Sequence, residues 1–483
     1  SDLESHDRCR ARFRLARTHF RMRDRTAALE LYDEIADACT DDASETLRVR
    51  SLYGAGSILY GRRKLSGTEK RFQTLLDDYP ERTHADDAIL FLARVARKQD
   101  RDERETELVA RSLSEYPEGD MLFEIAWEHL EPLYRDGCHR AFLDRLDELD
   151  LPEVDQEYFS QGRLGYFAGQ AHRQLGEQDE AAEAWQETWK RYPFSFYGYL
   201  SRQRLVEADA EPASLDPGET GGVAEWFDDA RWSNSAAARL TRLGLYEMAA
   251  DAESARLDDE ARDDADRWRL AHLEHMAGRH HRSHNLARRA IDDPPWVEPK
   301  RGRLVRWHLA WPSPFEAQVR RAVASERRQI ERGERLEAAL PTAIMREESS
   351  FIEDIESWAG ALGLMQLMPR TALAHDRDVE GRVTPEQLKE ASINVRVGVD
   401  HLFSLARRFD SHPALITAAY NAGGGAVSRW LRHHPNEDIA LWVEDIPYEE
   451  TRNYTKRVIG SYAAYQWLSG ARDLDDAVAD SPG

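Results

Sequence analysis

In the first two hundred residues apolar positions recur at three- and four-residue spacing, as at Ala88, Leu92, Val95 and Ala96. That is the period of one buried helical face. Runs of β-branched residues are few, so strands are not expected there. Prolines punctuate the region at Pro80, Pro117, Pro152 and Pro193, separated by 37, 35 and 41 residues. This is close to the period of two-helix solenoid repeats. A tyrosine precedes three of them, at Tyr79, Tyr116 and Tyr192. The plainest repeat runs from Gly162 to Pro193. Gly165, Ala168 and Ala171 lie on one predicted helix, Leu175-Gly176-Glu177 forms the turn, and Ala181, Ala182 and Ala184 lie on the next.

That hairpin resembles a tetratricopeptide repeat, loosely matched, and implies either a binding scaffold or a plain structural solenoid. If the first hairpin turns near Asp24, Cys9 and Cys39 stand at matching heights and can be bridged if their Cα atoms come within about 7 Å; two buried thiols are the alternative. Residues 207–222, rich in Pro, Gly and acids, read as a linker. Helical pattern resumes from Ala224 to Ala290 and carries His272, His275, His280, His281 and His284. His280 and His284 are one turn apart, a spacing metals use. Without a flanking carboxylate, a solvated helix face is the favoured reading. The expected organisation is a helical-repeat superhelical domain over 1–206, a linker and helical linker domain over 207–300, a compact C-terminal domain over 301–472 and an acidic tail over 473–483.

Composition narrows the function. The 483 residues are 41% hydrophobic and 32% charged, with 66 Lys+Arg against 89 Asp+Glu and a net charge of −23. Such an acidic chain is repelled by phosphate backbones and anionic membranes, so neither nucleic acid nor a membrane surface is an expected partner. No apolar run is long enough to span a bilayer. Three cysteines, with no Cys-x-x-Cys pair, speak against a zinc ribbon or a thioredoxin motif. The chain starts on a polar stretch at Ser1, compatible with a targeting segment removed upstream or a lipid anchor there.

Four segments carry candidate chemistry. In Ala343-Ile344-Met345-Arg346-Glu347-Glu348-Ser349, Leu340, Ile344 and Glu348 share one helical face. A carboxyl is thereby set at the end of an apolar stripe, where it resists ionisation. Glycoside cleavage needs such a proton donor, although an adjacent glutamate pair by itself reads as solvated. Gly360-Ala361-Leu362-Gly363-Leu364-Met365-Gln366-Leu367-Met368-Pro369 is a tight loop with one polar and several adaptable apolar side chains. Ala419-Tyr420-Asn421-Ala422-Gly423 ends a helix at a glycine cap. Glu449-Glu450-Thr451-Arg452-Asn453-Tyr454 opens another helix.

Together and in this order, these segments resemble the catalytic domain of the soluble lytic transglycosylases, the lysozyme-like family 23 glycoside hydrolases. Trp307-His308-Leu309-Ala310-Trp311-Pro312 and Tyr192-Pro193-Phe194-Ser195-Phe196-Tyr197-Gly198-Tyr199-Leu200 also look like that family, and the resemblance is strong over 304–470. It implies a mainly α protein, with an N-terminal TPR-like α-superhelical solenoid and a C-terminal lysozyme-like α domain. Glu348, followed directly by Ser349, becomes the acid–base catalyst. Ser349, Ser357, Gln366, Met368, Tyr420, Asn421, Glu450 and Tyr454 become substrate-binding or bracing residues. Glu347 and Thr455 depart from the usual residue types.

The resemblance further implies cleavage between N-acetylmuramic acid and N-acetylglucosamine in peptidoglycan glycan strands, with 1,6-anhydro ends, no metal and no cofactor, in the periplasm. Glu348 would protonate the leaving oxygen, the substrate's acetamido group would assist, and Glu348 would then take the proton of the C6 hydroxyl. The N-terminal region is shorter than that of family members with a closed helical ring, so an open arc is expected, with a protein partner or the glycan on its concave face. Two rivals stand beside this reading. One is a hydrolytic muramidase, which needs a second acid such as Glu353, Asp354 or Glu356. The other is an inactive scaffold.

Overall fold

The computed structural model describes residues 2–215, 224–227, 230–257, 263–290, 304–327, 337–375, 383–433 and 438–479. The protein is mainly α: among the described residues every regular element is a helix. Two isolated antiparallel bridges, Glu356 to Leu362 and Leu362 to Leu367, are the sole extended pairings described. No described helix is long and apolar enough to cross a membrane. The chain forms two compact units, Ser1–Gln178 and Asp179–Gly483.

The first unit is built from antiparallel hairpins: Asp2–Arg21 with Arg25–Ala38, Glu45–Gly61 with Leu65–Asp78, Ala85–Arg97 with Asp102–Glu115, and Leu122–Arg135 with His139–Glu148. Helix Arg163–Leu175 follows. The turns reuse one device. Arg23, Arg63, Asp100, Gly137 and Gly176 all have φ between +53° and +82°, the left-handed conformation that ends one helix and starts the next. Asp24 then caps its helix by accepting from the Ala27 N–H at 3.1 Å. The Tyr-Pro pairs close the second helices: the Tyr79 and Tyr116 N–H groups donate to Leu75 O and Ser112 O, and the following proline cannot continue the helix. The Tyr116 hydroxyl donates to Pro80 O at 2.9 Å, tying one repeat to the preceding one. Stacked Phe72–Phe91 and Trp127–Phe167 rings, 4.5 and 4.4 Å between centroids, fill the seams between hairpins. Cys9 and Cys39 form a disulfide, their Cα atoms 6.1 Å apart across the first hairpin, which resolves the two alternatives above. Cys138 is exposed.

In the second unit the 192–200 segment, which resembles the family, and the helix that continues it pack on residues far along the chain. Phe194 lies 4.8 Å from Trp307 and 5.4 Å from Trp467. The Tyr197 hydroxyl donates to Glu444, and Arg204 pairs with Asp438 at 3.0 Å. The histidine group requires a correction, because it is not a solvated face. His284 is 1% exposed, and its Nδ1 bonds Ala310 O at 2.7 Å. His275 and His280 are half-buried and meet edge to face at 5.0 Å. Helix His280–Ala290 packs on both Asp264–Met276 and Leu304–Ala310, so histidines on two of its faces are covered. No metal-holding group of three or more His, Cys, Asp or Glu occurs among the described residues. Part of the expected linker (216–222) and residues 480–483 of the expected tail lie outside the described residues, while the last helix, Glu449–Ala479, runs through the rest of the tail.

Candidate active site

Helix Ala339–Ser349 is covered along most of its length. Leu340, Ile344 and Met345 are buried, and the long Glu449–Ala479 helix packs along it. It stops at Ser350 and Phe351, both left-handed at φ +48° and +65°. Ser349 secures that stop. Its hydroxyl donates to Met345 O at 3.0 Å and accepts from the Phe351 N–H at 3.1 Å. It is 3% exposed, so here its hydroxyl serves the helix end rather than an open surface.

The two adjacent glutamates have different environments. Glu347 accepts from Arg346 and from the Ser461 hydroxyl at 2.8 Å, and lies 3.5 Å from Arg457 Nε. It is tied into the fold. Glu348 accepts from the Tyr454 hydroxyl at 2.7 Å. Burial pushes its carboxyl up to about 7, against the lowering effect of the Tyr454 hydrogen bond and Arg457, and the charges of Glu347 and Glu450 add to the rise. This is the state a general acid needs near neutral pH. Burial likewise holds the Tyr454 and Tyr420 hydroxyls well above the usual phenol range, so both stay neutral donors.

The glycine-rich loop is held by a residue that no local motif announced. Buried Asn394 accepts from the Met365 N–H at 2.8 Å and donates to Leu362 O and Leu388 O at 2.9 and 2.7 Å. Gly363, at φ +73°, leaves no room for a side chain: a Cβ would lie 2.3 Å from Asn394 Nδ2 and Leu388 O. The Gln366 amide donates to Gly363 O at 2.9 Å and Ile355 O at 3.3 Å. Met368 is 44% exposed at the loop's end. Ser357 closes the neighbouring turn, accepting at Oγ from the Ala361 N–H at 3.0 Å.

Helix Pro413–Ala422 brings in the third segment. The Tyr420 hydroxyl donates to Met365 O at 2.6 Å, joining this helix to the loop, and Tyr420 interacts electrostatically with Glu348. Asn421 Oδ1 accepts from Thr451 Oγ1 at 2.6 Å, bracing the start of the long helix. Exposed Glu450 follows Glu449 in that first turn. Behind Tyr420 stands a chain that the sequence reading missed. Asp400 bonds His375 Nδ1 at 3.1 Å, His375 Nε2 bonds His401 Nδ1 at 3.0 Å, and the His401 ring lies 5.4 Å from Tyr420. Glu353, Asp354 and Glu356 are all exposed, and Glu356 pairs with Lys389 at 3.1 Å.

A carboxyl at a helix end, a glycine-turned loop and the Tyr420 hydroxyl lie in the part of the chain that also matches a known family. Residues 327–443 match the transglycosylase SLT domain, and residues 168–195 match a tetratricopeptide repeat. The particular relatives are lytic enzymes by name. The soluble lytic murein transglycosylase of Escherichia coli K12 is 35% identical over 141 residues, 29% of this chain and 22% of the relative. Membrane-bound lytic murein transglycosylase C of Histophilus somni is 31% identical over 163 residues, 28% of this chain and 44% of the relative. The matched stretch thus spans about a fifth of the soluble relative's length. Among solved structures, the 70 kDa soluble lytic transglycosylase of Escherichia coli shares the fold at TM-score 0.58 and 18% identity, over 97% of this chain and 73% of that one. A structure of an inactive variant of Pseudomonas aeruginosa Slt gives TM-score 0.54 and 20% identity, over 98% of this chain and 72% of that one.

Proposed function

We propose that the protein is a peptidoglycan lytic transglycosylase. It would cleave the β-1,4 bond between N-acetylmuramic acid and N-acetylglucosamine and leave 1,6-anhydro ends. The observation that carries this reading is Glu348: a carboxyl raised to about 7 by burial, with a tyrosine hydroxyl as its hydrogen-bond partner. Protonated, it donates to the bridging oxygen. Ionised, it then takes the proton of the sugar's C6 hydroxyl, which closes the anhydro ring. One group serves as acid and then as base. A retaining two-carboxylate mechanism needs a second acid roughly 5 Å from the first; the candidates Glu353, Asp354 and Glu356 are all exposed, and Glu356 is paired with Lys389.

In this proposal Ser357, Gln366, Met368, Tyr420, Asn421, Glu450 and Tyr454 bind the glycan or hold the site, and Ser349 fixes the helix end. Residues 301–472 form the catalytic domain, 207–300 a linker domain, 473–483 a tail, and 1–206 the repeat region, whose surface serves the glycan or a protein partner. The Cys9–Cys39 disulfide supports an oxidising compartment such as the periplasm. Mass spectrometry of products released from purified peptidoglycan tests the reading. Anhydro-muropeptides from the wild type and none from Glu348→Gln support it; reducing-end products point to hydrolysis, and no product from either protein refutes an enzymatic role.

A further inference from the structure

Tryptophans in this protein are ordinarily core residues: Trp185, Trp226 and Trp268 are at most 2% exposed. Trp358 is 100% exposed. It sits at the tip of a turn pinned from both sides. The Ser357 N–H donates to Ala361 O and the Gly360 N–H to Ser357 O, each at 2.9 Å. The Ala361 N–H donates to Ser357 Oγ at 3.0 Å. Gly360, at φ +83°, supplies the left-handed step that completes the turn. Beneath it, the Glu356–Leu362 and Leu362–Leu367 bridges and the bonds from the Gly363 N–H and the Gln366 amide to Ile355 O join the turn to the glycine-rich loop. Trp358 and Gln366 are therefore carried by one hydrogen-bonded body.

We propose that Trp358 is a stacking platform for one N-acetylhexosamine ring of the glycan strand, a binding subsite on the turn that is joined to the glycine-rich loop of the candidate site. The proposal rests on the transglycosylase reading of the site. A pinned turn presents the indole on a fixed backbone, so binding has only its two side-chain torsions to order. On the turn itself the indole stands alone: within residues 352–361 no other large apolar side chain is exposed, and Met368, about half exposed, lies at the far end of the glycine-rich loop. A protein or membrane contact wants a broader apolar patch. A pyranose offers a single face of C–H groups to an aromatic ring and keeps its hydroxyls at the rim. Polar groups stand ready at that rim, with exposed Glu356 next to the turn and paired to Lys389.

The test uses the full chain carrying Glu348→Gln, so that nothing is turned over. Calorimetric titration with a peptide-free oligomer of β-1,4-linked N-acetylglucosamine is compared with and without W358A and W358F. The platform predicts affinity about tenfold weaker for W358A and within about threefold of the parent for W358F. Because the side chain is fully exposed, W358A should match the parent's circular dichroism and melting. Equal affinity of W358A and parent overturns the platform, as does a loss confined to fragments that bear stem peptides. A parent that fails to bind the oligomer, while the active protein cleaves peptidoglycan, overturns the platform alone. Failure of both binding and cleavage removes the transglycosylase reading and the platform with it.

Discussion

The repeat unit and the candidate active site treat buried charge in opposite ways. In the repeats, Arg97 pairs with Glu105 at 2.8 Å and Glu128 at 3.0 Å, Arg94 also holds Glu128, and His129 bonds Glu105 at 3.0 Å. Burial alone pushes the Glu105 carboxyl up, but the hydrogen bonds from His129 and Arg97 outweigh it and leave it below the usual range. At Glu348 the same burial wins, because the principal opposing group is one neutral phenol. A paired carboxylate is a structural element. A buried carboxyl whose hydrogen bond comes from a neutral phenol, with Arg457 acting only through its charge, holds its proton to higher pH and can give it away. The contrast recurs across a single peptide bond, between Glu347 and Glu348.

This comparison can be broken most severely at Glu348. Glu348→Gln should lower the rate of peptidoglycan cleavage by roughly a thousandfold or more, since acid–base groups contribute about 10²–10⁴-fold; turnover within tenfold of wild type would remove Glu348 from the chemistry. The mirror-image change is Glu105→Ala. It takes the bonded carboxylate from His129, leaves Arg97 with Glu128 alone, and should destabilise the protein by about 1–2 kcal/mol in urea unfolding, less than the full loss expected of a deeply buried pair because Arg97 is partly exposed and keeps one partner. Cleavage per folded molecule should be unchanged.

A third experiment uses linkage. The folded-state pKa of Glu348, about 7, lies above the ordinary value of 4.5. The folded state therefore binds this proton more tightly, and its contribution to stability is intact below about 4.5 and lost as pH rises to about 7. Glu348→Gln should thus be more stable than wild type at pH 8, by up to about 3 kcal/mol, and nearly equal to it at pH 4. The smallest expected effect is that of Tyr454→Phe. It removes the hydrogen bond that favours the ionised form, so the alkaline limb of the rate profile should move upward from about 7, with the rate lowered about tenfold.

Much of this was legible in the sequence, for identifiable reasons. The apolar stripe Leu340–Ile344–Glu348 and the glycine cap after Asn421 are local patterns, and local patterns survive in one dimension. The hairpin period was half hidden, because Arg23, Arg63 and Asp100 occupy left-handed turn positions that Gly137 and Gly176 mark openly. Glu347 and Glu348 could be separated only by motif resemblance. The partners that distinguish them, Ser461, Arg457 and Tyr454, come from more than a hundred positions away. Asn394 and the Asp400–His375–His401 chain escaped notice for the same reason: their contacts are long in sequence and follow no spacing rule. The histidines of 272–284 were misread because periodicity reports a helix's faces and not how many of them are covered.

The central claim is that Glu348 is held protonated by burial until the pH nears 7. Difference infrared spectroscopy of the carboxyl C=O band, wild type minus Glu348→Gln, measures this across pH 4 to 9. The account predicts one protonated carboxyl that disappears with a midpoint near 7. A midpoint at the ordinary carboxylate value near 4.5 would contradict it.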